Sequence, residues 1–398
     1  MRAAVQEWNA AGGPPPFVSL VAGLDAANPF VGPEALERTT GARFRVRVGA
    51  NESAFGMSPR ARAVAAGALD RLSWYGDPEN HDLRADLAAY HGVDGGQVLV
   101  GAGIDDLLAL LVRAFAAGGG RAVMPHGSYA TFAYHAATFG VALDTVPYRA
   151  DDHVDLAAMA AQARASETTR RRNLSGDGNG GATVVYLANP DNPSGTWQPE
   201  AAVRRFLAEL PDHCIVALDE AYIDYAPTAP ARELLTGDAR VVTMRTFSKA
   251  HGMAGARVAY AVGDARVCAG LDRLRLQFGV SRVAQEAARA ALADQAFVAD
   301  VARRVAAGRD AYHEVGRALG LPTVPSATNF VCFDLGSRAR AEAVMAALLG
   351  RGVFVRKPPA PPLDRCIRLG VGTEAERDIV AAELRRALDV LTELPGDG

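Results

Sequence analysis

Between residues 58 and 290 the chain alternates short, mainly apolar runs with longer helix-like stretches, and this alternation limits the possible folds more than any other feature. The runs fall at 97–100, 121–124, 142–146, 183–187, 214–218, 240–244 and 258–262, each partly β-branched and closed by Pro, Gly or a polar cluster. A strand that is apolar along its whole length is covered on both faces, and the intervening helices supply the cover. The pattern therefore predicts an α/β fold with a mostly parallel sheet flanked by helices. After residue 295 the rhythm changes. A long helix-like stretch over 296–319, a strand at 329–333, an Ala-rich helix over 339–349, short strands near 353–355 and 366–371 and a final helix predict a smaller α+β domain. The expected division is an N-terminal arm with part of the small domain over 1–55, a large domain over 56–292 and the rest of the small domain over 293–398. Residues 164–182, polar and rich in glycine, read as a solvated surface excursion.

Composition removes several classes of function. Of 398 residues, 49% are apolar and 22% charged, which excludes a disordered chain. A formal net charge of −3 counts against nucleic acid as the main partner. No apolar run approaches the roughly 18–20 residues of a membrane span. Glu7 and Pro14-Pro15-Pro16 interrupt the N-terminus, so no signal peptide is expected. Cys214, Cys268, Cys332 and Cys366 form no C-x-x-C pair, which excludes a zinc ribbon and a disulfide scaffold and suits a reducing cytoplasm. The histidines show no metal-ligand spacing, so no metal is expected. Of 42 basic residues only Lys249 and Lys357 are lysines. Arginine replaces lysine as a solvated cation but not as a deprotonatable primary amine. The two lysines are thus candidates for amine chemistry.

Four segments carry chemistry. Thr246-Phe247-Ser248-Lys249 places an amine just after two hydroxyls, with Arg257 eight residues on; hydroxyls and a guanidinium are phosphate ligands. An amine beside a phosphate site can condense with a phosphorylated aldehyde. The run 214–218 ends in Asp219, at the carboxyl edge where open α/β sheets bind ligands, followed by Tyr222. A carboxylate there can keep a heteroaromatic nitrogen protonated. Asn189-Pro190-Asp191-Asn192-Pro193-Ser194-Gly195 reads as a rigid turn presenting an amide. Gly101-Ala102-Gly103-Ile104-Asp105-Asp106 joins a strand to a helix; it lacks the third glycine of a dinucleotide fingerprint, but a helix N-terminus still binds a single phosphate.

Asn51-Glu52, Phe55-Gly56-Met57-Ser58-Pro59, Tyr75-Gly76-Asp77-Pro78-Glu79 and Leu83-Arg84 precede these segments in order. Together they make the chain resemble the fold-type I pyridoxal-phosphate enzymes, class I/II aminotransferases, and within them the histidinol-phosphate aminotransferase-like group. The resemblance runs from residue 50 to 368. It implies that Lys249 condenses with the aldehyde of pyridoxal 5′-phosphate and then moves the Cα proton, that Asp219 pairs with the ring nitrogen, and that Asn192 and Tyr222 bond the ring's phenolate oxygen. It implies that Tyr129 stacks on the ring. The phosphate would be held by the backbone of Ala102, Gly103 and Ile104, by Asp105, and by Ser248 and Arg257 with Thr246 nearby. It further implies that Arg368 and Arg356 read a substrate anion, with Asn51 and Asn329 at the substrate mouth. Tyr75 would reach the phosphate of a neighbouring subunit, which makes a homodimer with shared sites. Asp106, Asp191 and Ser194 vary the group's usual residues without removing a group the cofactor needs.

The expected reaction moves an amino group from an amino acid or amino-phosphate donor to a 2-oxo acid. Two other fates of the same carbanion stand beside it: a decarboxylase of the threonine-phosphate type and an oxidase of specialised metabolism. A cofactor-binding sensor is disfavoured by the full set of Lys249, Asp219, Tyr129 and Arg368.

Overall fold

The computed structural model describes residues 17–24, 31–41, 43–173, 180–228 and 237–393. Its strands, β1 to β11 in chain order, are Val46–Arg47, Val98–Gly101, Arg121–Pro125, Ala142–Val146, Thr183–Ala188, Cys214–Asp219, Val241–Thr246, Ala259–Val262, Phe330–Asp334, Val353–Phe354 and Cys366–Gly370. Seven form one sheet in the order β2-β8-β7-β6-β5-β3-β4. Neighbours are parallel except at β8, which runs antiparallel to both β2 and β7. β2, β5 and β8 are buried at every position, as expected for strands with helices on both faces.

The helices cover the sheet through apolar stripes. Ile104–Phe115 packs Leu107, Leu108 and Leu111 into a core shared with Tyr186 and Met244. Each such fully buried side chain contributes about 1.5–3 kcal/mol. On the other face, Leu156–Asn173 and Glu200–Glu209 bury Met159, Val203 and Phe206 against β5 and β6. The helices Pro59–Ala68 and Arg282–Leu292 begin at Ser58 and Ser281, whose hydroxyls accept from Ala61 N and Ala284 N at 3.0 and 3.2 Å.

Beyond the main sheet, β9 pairs antiparallel with β11, and β1 pairs in parallel with β10. The helices Gln295–Leu319, Arg338–Gly350 and Glu374–Glu393 pack on these strands around Val301, Tyr312, Phe333, Val344 and Leu384. β1 thus ties the N-terminal part of the chain to its C-terminal part.

The excursion expected over 164–182 is not what the first half of that segment forms. Leu156–Asn173 continues as one helix through it. Arg170 is buried, and its Nε and Nη2 each donate to the buried Glu167 carboxylate at 2.8 Å. Arg170 Nη1 donates to the carbonyls of Gly180 and Gly181. The hydrogen bonds from Arg170, joined by Arg171, hold the Glu167 carboxyl down to about 2. A neutralised Arg–Glu pair at helical spacing lets a charged face be covered. Residues 174–179 lie outside the described residues, as do 1–16 and 25–30 of the expected N-terminal arm; within the arm, Ser19–Ala22 and Pro33–Thr40 are helical. All four cysteines are free and buried. Among the described residues no helix is long and apolar enough to cross a membrane, and no cluster of His, Cys, Asp or Glu is arranged to hold a metal.

Candidate active site

A cavity of about 380 Å³ opens where β5, β6 and β7 end, between that edge of the sheet and the residues around β10 and β11. Carboxyl ends of strands are where an open α/β sheet presents side chains and loops to a ligand. Asp219 is the last residue of β6 and is buried. Its Oδ2 accepts from the Tyr186 hydroxyl at 2.8 Å and its Oδ1 from Ala221 N at 3.0 Å. Burial pushes the Asp219 carboxyl up to about 6, and these two donors oppose the rise.

Lys249 follows the end of β7. Its Nζ stands 5.4 Å from the Tyr222 ring centroid and donates to the Asn51 carbonyl at 3.1 Å. Asn51 has a left-handed backbone, φ 56°, which turns that carbonyl inward. Asn329 Nδ2 also donates to the carbonyl at 3.0 Å, while Asn51 Nδ2 donates to the Tyr222 hydroxyl at 2.9 Å. Among the described residues no carboxylate lies within 4.0 Å of the Lys249 amine. Lys357 is elsewhere, 3.6 Å from Glu342.

At another end of the cavity the helix Ile104–Phe115 begins, directing N–H groups without intrahelical partners at the space in front of it. Thr246, Ser248 and Arg257 face the same space. Thr246 Oγ1 donates to Ser248 Oγ at 2.9 Å and accepts from Ser248 N at 3.0 Å. Gly103 has φ 96°, and a Cβ there would lie 2.3 Å from Arg257 Nη2, so only glycine permits this approach. The Tyr129 hydroxyl donates to Asp105 Oδ1 at 2.7 Å; burial, then the Asp105 charge, raises the phenol's pKa.

At the mouth stand two arginines paired through their backbones, Arg356 and Arg368. Arg368 Nη1 donates to Asn192 Oδ1 and Nη2 to the Gly49 carbonyl, while its buried Nε has no partner. Burial lowers the pKa of both guanidiniums. Among the described residues no carboxylate lies within 4.0 Å of Arg368. Arg356 Nη2 donates to the Val31 carbonyl at 2.8 Å, and Glu52 shares the wall.

Of the residues expected from sequence, Asn51, Ile104, Asp105, Tyr129, Asn192, Asp219, Tyr222, Thr246, Ser248, Lys249, Arg257, Arg356 and Arg368 line this one cavity. Gly103 stands behind Arg257 and Asn329 behind Asn51. Ala102 departs from expectation: its N–H donates to the Asp106 carboxylate at 2.9 Å and is not available to a phosphate. The N–H groups open to a ligand begin at Ile104. Tyr75 is 78% exposed, packs on Phe278 with centroids 4.7 Å apart, and does not line its own chain's cavity. Tyr186 was missed; the available signal was a tyrosine on the strand beside the one that ends in Asp219.

Residues 45–384 match the family model for aminotransferase class I and II, and the chain belongs to that family. It is a pyridoxal-phosphate-dependent transaminase that uses small-molecule amino donors and 2-oxo acids. It is similar to histidinol-phosphate aminotransferase 2 of Pseudomonas fluorescens (strain Pf0-1), with 35% identity over 346 residues, 86% of this chain and 89% of that one. The solved histidinol-phosphate aminotransferase from Sinorhizobium meliloti in complex with pyridoxal-5′-phosphate superposes with a TM-score of 0.88 at 38% identity, covering 96% of this chain and all of the other. L-threonine-O-3-phosphate decarboxylase from Porphyromonas gingivalis covers 86% of this chain and 99% of its own at a TM-score of 0.69, but its 20% identity is a likeness of fold alone. The residues present fit the cofactor. Arg257 reaches the helix N-terminus by packing on Gly103 where a Cβ would collide, an amine without a carboxylate partner faces the cavity, and buried Asn51 Oδ1 is without a partner.

Proposed function

We propose that the amino donor carries a phosphate, histidinol phosphate being the donor that the names of the relatives point to, and that Arg356 and Arg368 receive its anion. The observation that carries this reading is Arg368, half-buried, without a carboxylate partner among the described residues and beside a second guanidinium. A buried cation left without a counter-ion is costly unless a ligand supplies the charge. The test is a single half-reaction with no acceptor, following conversion of the enzyme-bound cofactor to its pyridoxamine form by absorbance. Histidinol phosphate is expected to convert it faster than unphosphorylated histidinol and than aromatic, basic or acidic amino acids. No spectral change with histidinol phosphate, alongside conversion by another donor, removes this assignment.

When bound, pyridoxal phosphate supplies an aldehyde for the donor's amino group and a ring that withdraws the electron pair left at Cα. The protein's part is positioning and proton transfer. In this reading, Ile104 and Asp105 N–H, the Thr246 and Ser248 hydroxyls and Arg257 hold the phosphate, and Tyr129 covers one ring face. Asp219 holds a proton on the ring nitrogen, while Asn192 and Tyr222 bond the phenolate oxygen. Lys249 Nζ would take the proton from the donor's Cα and deliver it to the cofactor's former aldehyde carbon.

We also propose a homodimer in which Tyr75 reaches the partner's phosphate. Support comes from exposed Leu72, Trp74, Tyr75, Leu276 and Phe278, which lie in two stretches of chain joined where Tyr75 packs on Phe278. Sedimentation is expected to give twice the 41.7 kDa chain mass, and a single-chain mass at enzyme-assay concentrations would end the shared-site reading. The division at residues 55 and 292 is supported by the β1–β10 pairing; limited proteolysis near 292 checks it. Four free buried thiols support a cytoplasmic location, which cell fractionation checks.

A further inference from the structure

Tyr186 stands opposite Ala217 in the β5–β6 ladder, and Asp219 lies two residues further along β6. Residues two apart on a strand share a face, so Tyr186 and Asp219 are diagonal neighbours, within reach of a long side chain. The small side chain of Ala217 leaves room for the phenol to cross. The Tyr186 ring is fully buried and stacks on Phe132, centroids 4.9 Å apart and planes at 20°. Its orientation is therefore set by packing on one side and by the strand on the other. Its hydroxyl donates to Asp219 Oδ2 at 2.8 Å while Ala221 N donates to Oδ1 at 3.0 Å.

We propose that Tyr186 is a positioning residue for transamination: its hydroxyl keeps the Asp219 carboxylate ionised and turned so that it holds a proton on the cofactor's ring nitrogen. The inference rests on the assignment of Asp219 to the ring nitrogen given above. An ionised carboxylate offers about four acceptor sites, so the two protein donors leave room for a ring N–H. Of the charged groups that face Asp219, Asp105 disfavours its ionisation and Lys249 favours it, while burial outweighs both. A carboxyl already pushed up to about 6 has little margin. Losing the phenol's hydrogen bond moves it further up, and the proton passes from the ring nitrogen towards the acid. The ring then draws less charge from Cα.

Tyr186→Phe keeps the ring against Phe132 and removes one oxygen. In the cofactor-free chain the Asp219 carboxyl resonance, assigned by its absence in Asp219→Asn, is expected to titrate at higher pH in Tyr186→Phe than in the unmodified protein. The holoenzyme is expected to lose roughly 10- to 100-fold in kcat, the range for one charge-assisted hydrogen bond. In the Asp219→Asn background the same substitution is expected to change kcat little. An unshifted titration overturns the inference. A kcat loss that persists in full in the Asp219→Asn background also overturns it, because packing alone would then explain the effect. If Asp219→Asn itself has the turnover and cofactor affinity of the unmodified enzyme, the ring-nitrogen assignment fails first and this inference with it.

Discussion

Lys249→Ala is expected to reduce transamination by at least roughly 100- to 10,000-fold, the contribution of a positioned general acid–base group alone. The amine is expected to act twice, first as the nucleophile that anchors the aldehyde and then as the base at Cα, so the single substitution removes both. Nothing nearby can substitute. The chain has only one other lysine, Lys357, and its amine is turned towards Glu342 at 3.6 Å, away from this cavity. Lys249→Arg keeps a cation at the position but not a deprotonatable amine, so it is expected to be as inactive as alanine. Borohydride treatment of the unmodified holoenzyme followed by peptide mapping should leave the cofactor attached at residue 249. Attachment at residue 357, or an active Lys249→Arg enzyme, would contradict the assignment. Added small amines should restore part of the Lys249→Ala rate by supplying the missing base.

The rarity of lysine made residue 249 legible before any fold was known, and a strand ending in a carboxylate did the same for Asp219. Both signals are local: a residue type and its place relative to an apolar run. The main sheet was legible for the same reason, since strands covered on both faces are apolar throughout. The direction of β8 was not. Hydropathy carries no sense of direction, and β7 and β8 are joined by the loop 247–258, whose one helical piece is the single 3-10 turn Ala254–Ala256, rather than by a helical crossover of the kind that joins parallel neighbours. β1 is two residues long, too short to leave a period, and is held by long-range pairing with β10. The helix through Glu167 and Arg170 was misread because a buried ion pair looks in sequence like a solvated face. Tyr186 was hidden in the opposite way, as one aromatic among the apolar residues of a buried strand. The availability of the Ala102 N–H depends on where the Asp106 side chain points, which spacing does not encode.

Arg368→Ala is expected to lower kcat/KM for the 2-oxo acid acceptor by roughly 30- to 5,000-fold, corresponding to about 2–5 kcal/mol for removing one partner of a buried, hydrogen-bonded charge pair. Every 2-oxo acid brings a carboxylate, so this expectation holds whichever donor the enzyme uses. Arg368 sits at the centre of the mouth: its Nη1 bonds Asn192, its Nη2 bonds the Gly49 carbonyl, and its Nε remains without a partner. The remaining N–H groups on Nη1 and Nη2 are what a carboxylate or phosphate oxygen can meet. Asn192 is expected to bond the ring's phenolate oxygen, so Arg368→Ala also frees that amide to rotate, and part of the loss should appear in kcat. Arg368→Lys separates the two effects. It restores charge without the planar fork, so it is expected to recover part of the anion affinity but not the hold on Asn192. Measuring KM and kcat separately for an anionic donor and for an uncharged analogue completes the test. The loss should fall mainly on the anionic ligand, because only that ligand supplies the charge that the unmodified site lacks. An equal loss for both would mean that Arg368 only props up Asn192, and the anion would then have to be read by Arg356 alone.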